Sequence, residues 1–141
     1  MTRLATTGPL TAIDFYKADH RNQYPKGTEL VFSNWTPRSS RLHDVDKVVF
    51  FGLQYFVKEY LVTRWNRDFF DRSVEEVVDA YARHTRNAGI TIEVDHIRAL
   101  HDLGYLPLEL RALPEGTQVP IGIPMFVMWN TNPEFFWLTN Y

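Results

Sequence analysis

The sequence of 141 residues contains no cysteine, no long apolar run and no excess of charge of either sign. The absence of cysteine excludes disulfides, thiolate zinc sites and thiol catalysis, and it fits the cytoplasmic location that we expect. Because no run of about 18 apolar residues occurs, we expect no membrane-spanning helix. Lys and Arg number 15 and Asp and Glu 17, whereas nucleic-acid-binding domains usually carry a basic excess. We therefore expect neither nucleic acid nor membrane as a partner.

Apolar residues are plentiful, at 45% of the chain, and 15% of residues are aromatic. This composition and length suit one folded domain over residues 1–141. Charge becomes sparse after Gly104, since residues 105–141 hold four charged side chains and seven aromatic ones. The aromatic-rich ending at 135–141 is expected to need more apolar surface than the chain supplies, although a free C-terminus is usually polar.

The pattern of apolar residues predicts an α+β fold, with a small, mainly antiparallel sheet and several packed helices. Helical spacing and cap residues predict helices over 14–24, 48–61, from 73 onward, 94–103 and from 132 onward. Short apolar or alternating segments predict strands over 30–35, 106–112, 119–121 and 124–129. Residues 1–13 and the polar loop 37–46 are expected to be irregular. The clusters 50–51 and 135–137 are expected to be core.

The segment 14–20 concentrates acidic, basic and aromatic side chains in seven positions. At helical spacing Tyr16 and His20 share a face, as do Asp14 and Lys17. An exposed tyrosine ring can stack on a flat heterocycle, and an acid nearby can accept a hydrogen bond from an amide. An ordinary capped, half-exposed helix has the same pattern, so the residues alone leave both interpretations open.

Two arginines, Arg38 and Arg41, flank two serines in the polar loop. Guanidinium groups bind phosphate bidentately, but a solvated basic loop has the same composition. Neither standard glycine-rich nucleotide loop occurs, the five histidines lack metal-ligand spacing, and no nucleophile motif is present. We therefore assign no catalytic residue and no metal ligand, and function stays open between a small-ligand module and a structural domain.

Six segments, taken in order, carry a family resemblance. They are DFYKADHRNQYP at 14–25, VFS at 31–33 with Arg38 after it, VFFGLQY at 49–55, LPLELRA at 106–112, PEG at 114–116, and NTNPE running into WLTN at 130–140. Together they resemble the N-terminal region of nicotinamide phosphoribosyltransferases. The resemblance is one of pattern only over 62–93. It implies that the chain is the N-terminal portion of a larger phosphoribosyltransferase and is inactive alone.

The resemblance also implies a reaction, partners and site residues. The family makes nicotinamide mononucleotide and pyrophosphate from nicotinamide and phosphoribosyl pyrophosphate, as a salvage route to NAD. Tyr16 matches the tyrosine that stacks on the nicotinamide ring, contributed across a homodimer interface, and Asp14 matches an acid at the same site. Arg38 matches an arginine that contacts phosphate groups. Arg41 lies where the family often has another basic residue. No cofactor is expected within this portion, and magnesium is expected with phosphoribosyl pyrophosphate in the full enzyme.

Two alternatives to this function remain open at the level of sequence. One is a nicotinate-specific phosphoribosyltransferase, since nothing in these residues separates the two substrates. The other is a non-catalytic binding or oligomerisation module. Phe15 and the pair at 36–37 depart from the residues usual at those positions in the family, although neither change removes a named site residue.

Overall fold

In the computed structural model, which describes residues 8–141, most helices segregate from the strands. Among the described residues, the helical unit comprises 8–24, Phe56–Leu106 and Tyr141, and the sheet unit comprises Pro25–Tyr55 and Pro107–Asn140. The fold is α+β, as predicted. The assignment of 1–141 to one domain stays a prediction, and the part of the expected irregular stretch at 1–7 lies outside the described residues.

The helical unit is built from short and long helices. Its first part contains the 3-10 helices Pro9–Thr11 and Phe15–Asp19 and helix α1 (His20–Gln23). Helix α2 (Leu53–Phe56) leads into the unit and continues as the π-helical segments Val57–Arg64 and Asn66–Phe70. Helices α3 (Val74–Asn87) and α4 (Asp95–Leu103) follow. No helix among residues 8–141 is both long and apolar enough to span a membrane.

Helix α3 begins where its capping residues predict. The Ser73 hydroxyl accepts a hydrogen bond from the Glu76 amide at 3.3 Å, which satisfies one of the free N–H groups of the first turn. Helix α4 ends at Gly104, whose φ of 80° places it in the left-handed region that glycine adopts without strain. Both ends confirm the sequence-based boundaries to within one residue.

The core of the helical unit combines the buried faces of α3 and α4 with aromatic residues of the π-helical segments. Its buried side chains include Trp65, Phe69, Val77, Val78, Tyr81, Thr85, His96, Ile97 and Leu100. The Tyr141 hydroxyl also joins this unit, because it donates a hydrogen bond to the Leu10 carbonyl at 2.8 Å. Burial raises the pKa of Tyr141, and the adjacent Tyr81 hydroxyl raises that pKa further.

The predicted helix 48–61 is wrong at its start. Residues Lys47–Val49 form strand β2 instead, because they pair with a strand far along the chain, and Gly52 at φ 96° separates that strand from α2. Beyond α2 the chain is π-helical over Val57–Arg64 and Asn66–Phe70, and the Asp71 amide donates a hydrogen bond to the Asn66 carbonyl, five residues earlier, at 2.8 Å. A stripe drawn at 3.6 residues per turn therefore does not describe the buried face.

The sheet unit holds two small antiparallel sheets rather than one. β1 (Phe32–Trp35), β3 (Leu108–Ala112) and β5 (Phe126–Asn130) form a three-stranded sheet in the order β1-β5-β3. β2 (Lys47–Val49) pairs with β4 (Gln118–Pro120). The predicted strands are thus confirmed, with small shifts in their ends. Phe50 packs against Val119 and Met125 as core, but Phe51 is 80% exposed, contrary to expectation.

The aromatic-rich ending 135–141 packs, up to Asn140, against the sheet of its own unit. Residues Pro133–Asn140 form a kinked 3-10 helix that packs on β5, with Phe135, Trp137 and Leu138 buried. The Asn132 side chain accepts a hydrogen bond from the Glu134 amide at 3.1 Å, as expected of a helix start. The expectation that this segment needs additional apolar surface is therefore wrong for Phe135, Trp137 and Leu138.

Asn130 joins three segments of the sheet unit through one buried side chain. Its Oδ1 accepts a hydrogen bond from the Val31 amide at 2.8 Å. Its Nδ2 donates to the Glu29 carbonyl at 2.8 Å and to the Asn132 carbonyl at 3.0 Å. All three bonds connect to backbone groups, so the side chain fixes the entry to β1 and the turn that follows β5.

We expect Asn130→Ala to lower the free energy of unfolding by about 2–3 kcal/mol, because it leaves backbone groups without partners in a buried place. Asn34→Ala is the matched control, since Asn34 is an exposed residue of the same sheet whose side chain accepts one hydrogen bond, from Thr36. Urea denaturation of both variants measures the difference. Equal losses for the two variants would contradict this role for Asn130.

A buried histidine makes the stability of the helical unit depend on pH. Burial first, and then nearby Arg21, lower the pKa of His96 to about 4, and the opposing effect of Asp95 is smaller. The unfolded chain takes up this proton near pH 6.5, whereas the folded chain does so only near pH 4. Stability is therefore lost as the pH falls through this range, by about 3 kcal/mol from this group.

We expect His96→Gln to reduce the loss of stability between pH 6.5 and pH 4, because the variant has no imidazole to protonate. His84→Gln, at an exposed position of α3, should keep the wild-type slope. Denaturation midpoints are measured for both variants across this pH range. The comparison cancels the contribution of the carboxylates, because both variants retain them. A slope unchanged in His96→Gln would rule out this origin.

Candidate functional site

The segment that carries Asp14 and Tyr16 folds as two short helices in succession. The predicted helix 14–24 is the 3-10 helix Phe15–Asp19 followed directly by α1. Asp14 occupies the N-cap position with an extended backbone, and its carbonyl accepts a hydrogen bond from the Lys17 amide at 2.8 Å. Its side chain makes no cap hydrogen bond, unlike that of an ordinary capped helix. The exposed carboxylate therefore stays available to a ligand.

Tyr16 presents its ring to solvent while neighbouring side chains support it. The residue is 58% exposed. The His20 ring centroid lies 5.1 Å from that of Tyr16, with the ring planes inclined at 57°. The Lys17 ammonium lies 5.4 Å from the Tyr16 ring centroid. The predicted shared face of Tyr16 and His20 is thus confirmed, and a tyrosine in this setting can stack on a flat ligand.

Contacts within the segment hold this geometry. Ala18 is buried and anchors the 3-10 helix. The Asp19 carboxylate accepts hydrogen bonds from Asn22 at 2.9 Å and Gln23 at 3.3 Å. These two bonds, that from Asn22 first, lower the pKa of Asp19 below its usual value. The carboxylate is thereby kept in the charged form that accepts both bonds, which ties the 3-10 helix to α1.

Arg38 and Arg41 lie in the loop that follows β1, as predicted. Both are exposed, and neither guanidinium makes an ion pair or a hydrogen bond with any residue in the described range 8–141. The start of the loop is fixed, because the Pro37 carbonyl accepts a hydrogen bond from the Gly122 amide at 2.8 Å. Two exposed guanidinium groups on an anchored loop can bind a phosphate group.

The structure distributes the four predicted residues as two pairs. Asp14 and Tyr16 belong to the helical unit, and Arg38 and Arg41 belong to the sheet unit. Each pair is local to one short segment. The roles of all four as ligands of a substrate stay predictions.

Two exposed aromatic contacts of the sheet unit were missed from the sequence. Phe32 stacks on Trp129 with ring centroids 5.7 Å apart, and the Arg111 guanidinium lies 5.2 Å from the Trp129 ring centroid. Trp35 stacks on Phe126 at 5.8 Å. The β1–β5 register makes both pairs, and a single sequence gives no signal for the register of strands about 90 residues apart.

A cavity of about 380 Å³ lies elsewhere in the helical unit. Its lining includes the buried side chains of Leu10, Phe69 and Tyr81 and the charged side chains of Arg72 and Arg83. None of the four predicted site residues lines it. Within the described part of the chain, no three His, Asp or Glu residues cluster closely enough to hold a metal ion.

Comparison with known proteins decides the family. Residues 9–110 match the model of the family described as nicotinamide phosphoribosyltransferase, N-terminal domain. The chain belongs to this family. The matched range contains Asp14, Tyr16, Arg38 and Arg41, and the family resemblance drawn from the six sequence segments is confirmed.

Two curated relatives extend the match across almost all of the chain. A nicotinamide phosphoribosyltransferase of Acinetobacter baylyi is 56% identical over 140 residues, which cover 94% of this chain and 28% of the relative. A nicotinamide phosphoribosyltransferase of Xanthomonas campestris is 32% identical over 131 residues, which cover 91% of this chain and 25% of the relative. The chain therefore spans about a quarter of the length of these relatives.

Proposed function

We propose that this chain serves as the N-terminal domain of an enzyme that transfers a phosphoribosyl group to nicotinamide. The co-substrate is phosphoribosyl pyrophosphate, and the products are nicotinamide mononucleotide, used in NAD biosynthesis, and pyrophosphate. The 56% identity to the Acinetobacter baylyi nicotinamide phosphoribosyltransferase carries the proposal. The names of both relatives favour nicotinamide over nicotinate as the acceptor.

In this proposal Tyr16 binds the acceptor ring by stacking. Nicotinamide is small and uncharged, so much of its binding free energy must come from contact with the faces of its ring. The exposed Tyr16 ring, supported by His20 and Lys17, offers such a face. Asp14, two residues earlier and exposed, supplies an acceptor for the amide N–H groups of the ligand.

Arg38 binds phosphate of the co-substrate or product, with Arg41 as a weaker second contact. The charge of the described loop supports this role, because both guanidinium groups lack an acidic partner among residues 8–141. An arginine already paired with a carboxylate would have to give up that interaction to bind phosphate. Arg38 follows the fixed residue Pro37, which limits the conformational entropy lost on binding.

The reaction exchanges one bond at the sugar carbon for another. The bond from C1 of ribose to pyrophosphate breaks, pyrophosphate leaves with the electron pair, and the ring nitrogen of nicotinamide donates its lone pair to C1. Positive charge develops on the sugar in the transition state, so groups that stabilise this charge and the leaving pyrophosphate accelerate the step. Within the described residues, no three His, Asp or Glu side chains cluster closely enough to hold magnesium. We propose that the ion accompanies the pyrophosphate group.

The proposal includes a homodimer in the cytoplasm, in which the site is shared across the interface and Tyr16 is contributed from the neighbouring subunit. The exposure of Tyr16, Arg38 and Arg41 supports shared use, because all three present binding groups outward. Since the chain spans about a quarter of its relatives, we propose that the domain alone does not turn over substrate.

We expect Tyr16→Ala to raise the KM for nicotinamide roughly tenfold in the active enzyme that contains this chain, because the variant loses the stacking contact. Tyr16→Phe should keep most of the affinity, since it retains the ring. Tyr105→Ala is the control, because Tyr105 is 54% exposed and lies outside the six segments. Steady-state kinetics with nicotinamide varied measures these effects. An unchanged KM in Tyr16→Ala would sink the assignment.

A substitution at Arg38 should separate the two substrates. We expect Arg38→Ala to raise the KM for phosphoribosyl pyrophosphate roughly tenfold or more, while the KM for nicotinamide changes little, because a charge-assisted contact to phosphate is lost. Arg41→Ala should have a smaller effect in the same direction. Kinetics with each substrate varied in turn tests this. Equal increases for both substrates in Arg38→Ala would point to disturbed folding instead.

A further inference from the structure

His20 stands out because it contacts the proposed stacking residue and has no role in the reaction described above. Its ring lies 5.1 Å from the Tyr16 ring, and it is half-buried, whereas Tyr16 is mostly exposed. The inclination of 57° lies between stacked and perpendicular arrangements. In this tilted contact the His20 ring covers part of the Tyr16 ring, whereas a parallel partner would cover a whole face of it.

An exposed tyrosine side chain ordinarily samples several rotamers, and a ligand that stacks on it must select one. The loss of this freedom on binding reduces affinity. A neighbouring ring that holds the tyrosine in one orientation before the ligand arrives removes part of this cost. His20 is placed to do so, since it is the first residue of α1 and lies four positions after Tyr16.

The position of His20 is itself fixed by the segment. Asp19, immediately before it, accepts hydrogen bonds from both Asn22 and Gln23 of α1. These bonds hold the junction between the 3-10 helix and α1. The Lys17 ammonium, 5.4 Å from the Tyr16 ring centroid, provides a second contact to the same ring.

We propose that His20 is a positioning residue, which holds the Tyr16 ring in the orientation that stacks on nicotinamide and does not itself contact the substrate. This inference rests on the proposed function, because it assigns His20 a role through Tyr16. It accounts for a half-buried histidine beside an exposed tyrosine at the start of a four-residue helix.

The geometric part of the proposal can be tested on the 141-residue chain without any activity. Ring-proton resonances of the seven tyrosines are recorded by NMR, and that of Tyr16 is assigned through Tyr16→Phe. His20→Ala should shift the Tyr16 resonance, because it removes the ring current of the imidazole, and should leave the other six in place. His43→Ala, at an exposed loop histidine, should leave all seven unchanged. An unmoved Tyr16 resonance in His20→Ala overturns the proposal.

The functional part needs kinetics in the active enzyme that contains this chain. His20→Ala should raise the KM for nicotinamide about twofold to tenfold, the effect of losing one aromatic pair, with little change in kcat. His20→Phe should restore most of the affinity, since it keeps a ring of similar width. In a Tyr16→Ala background, His20→Ala should have no further effect, because the residue through which it acts is absent.

The outcomes distinguish this inference from the proposed function. If Tyr16→Ala leaves the KM for nicotinamide unchanged, the stacking role of Tyr16 fails. If Tyr16→Ala raises that KM and His20→Ala does not, the stacking role holds and the positioning role is overturned. A fall in kcat alone in His20→Ala, or an additive effect in the double variant, would likewise overturn positioning, because either result requires His20 to act independently of Tyr16.

Discussion

Three segments of the sheet unit depend on one buried polar side chain, that of Asn130. It joins the entry of β1, the end of β5 and the start of the C-terminal 3-10 helix through three hydrogen bonds to backbone groups. β1 in turn leads into the loop that carries Arg38. An amide with this role cannot be replaced by an apolar residue of equal size, because the partners are backbone groups that remain polar. The strand that leads into this loop is thus fixed at its start by an amide 99 residues further along the chain.

In both units the proposed binding side chains are exposed, and the segments that carry them are fixed by contacts within the unit. In the helical unit, buried Ala18 and the bonds to Asp19 hold the segment that presents Tyr16. In the sheet unit, the bond between Gly122 and Pro37 holds the loop that presents Arg38. Binding groups on short fixed segments lose less conformational entropy when a ligand arrives than groups on free loops. On the same argument, the contact of His20 with Tyr16 reduces the conformational entropy that Tyr16 loses when a ligand binds.

Local signals in the sequence predicted local structure well. The cap residue Ser73 gave the start of α3, and the glycine at 104 gave the end of α4, because a cap depends on residues within one turn. The pairing of β2 with β4 could not be predicted from the sequence, because it depends on a distant partner. The π-helical segment after Phe56 could not be predicted either, because its hydrogen-bond period is uncommon. For the site, spacing alone brought Tyr16 and His20 to one face. Only the resemblance to the family distinguished Tyr16, Asp14 and Arg38 from ordinary surface residues.

A single exposed tyrosine makes an incomplete site for a small neutral molecule. The Tyr16 ring contacts His20 and Lys17, and the residue is 58% exposed to solvent. Stacking on one face, with water on the other face of the ligand, recovers only part of the available free energy, because water excluded from both faces strengthens each contact. On the proposed function, a second surface must therefore cover the ligand, and the natural place for it is opposite Tyr16. This requirement explains why the residue is exposed in the domain described here: a tyrosine buried within its own unit could not form one wall of a site that another surface completes.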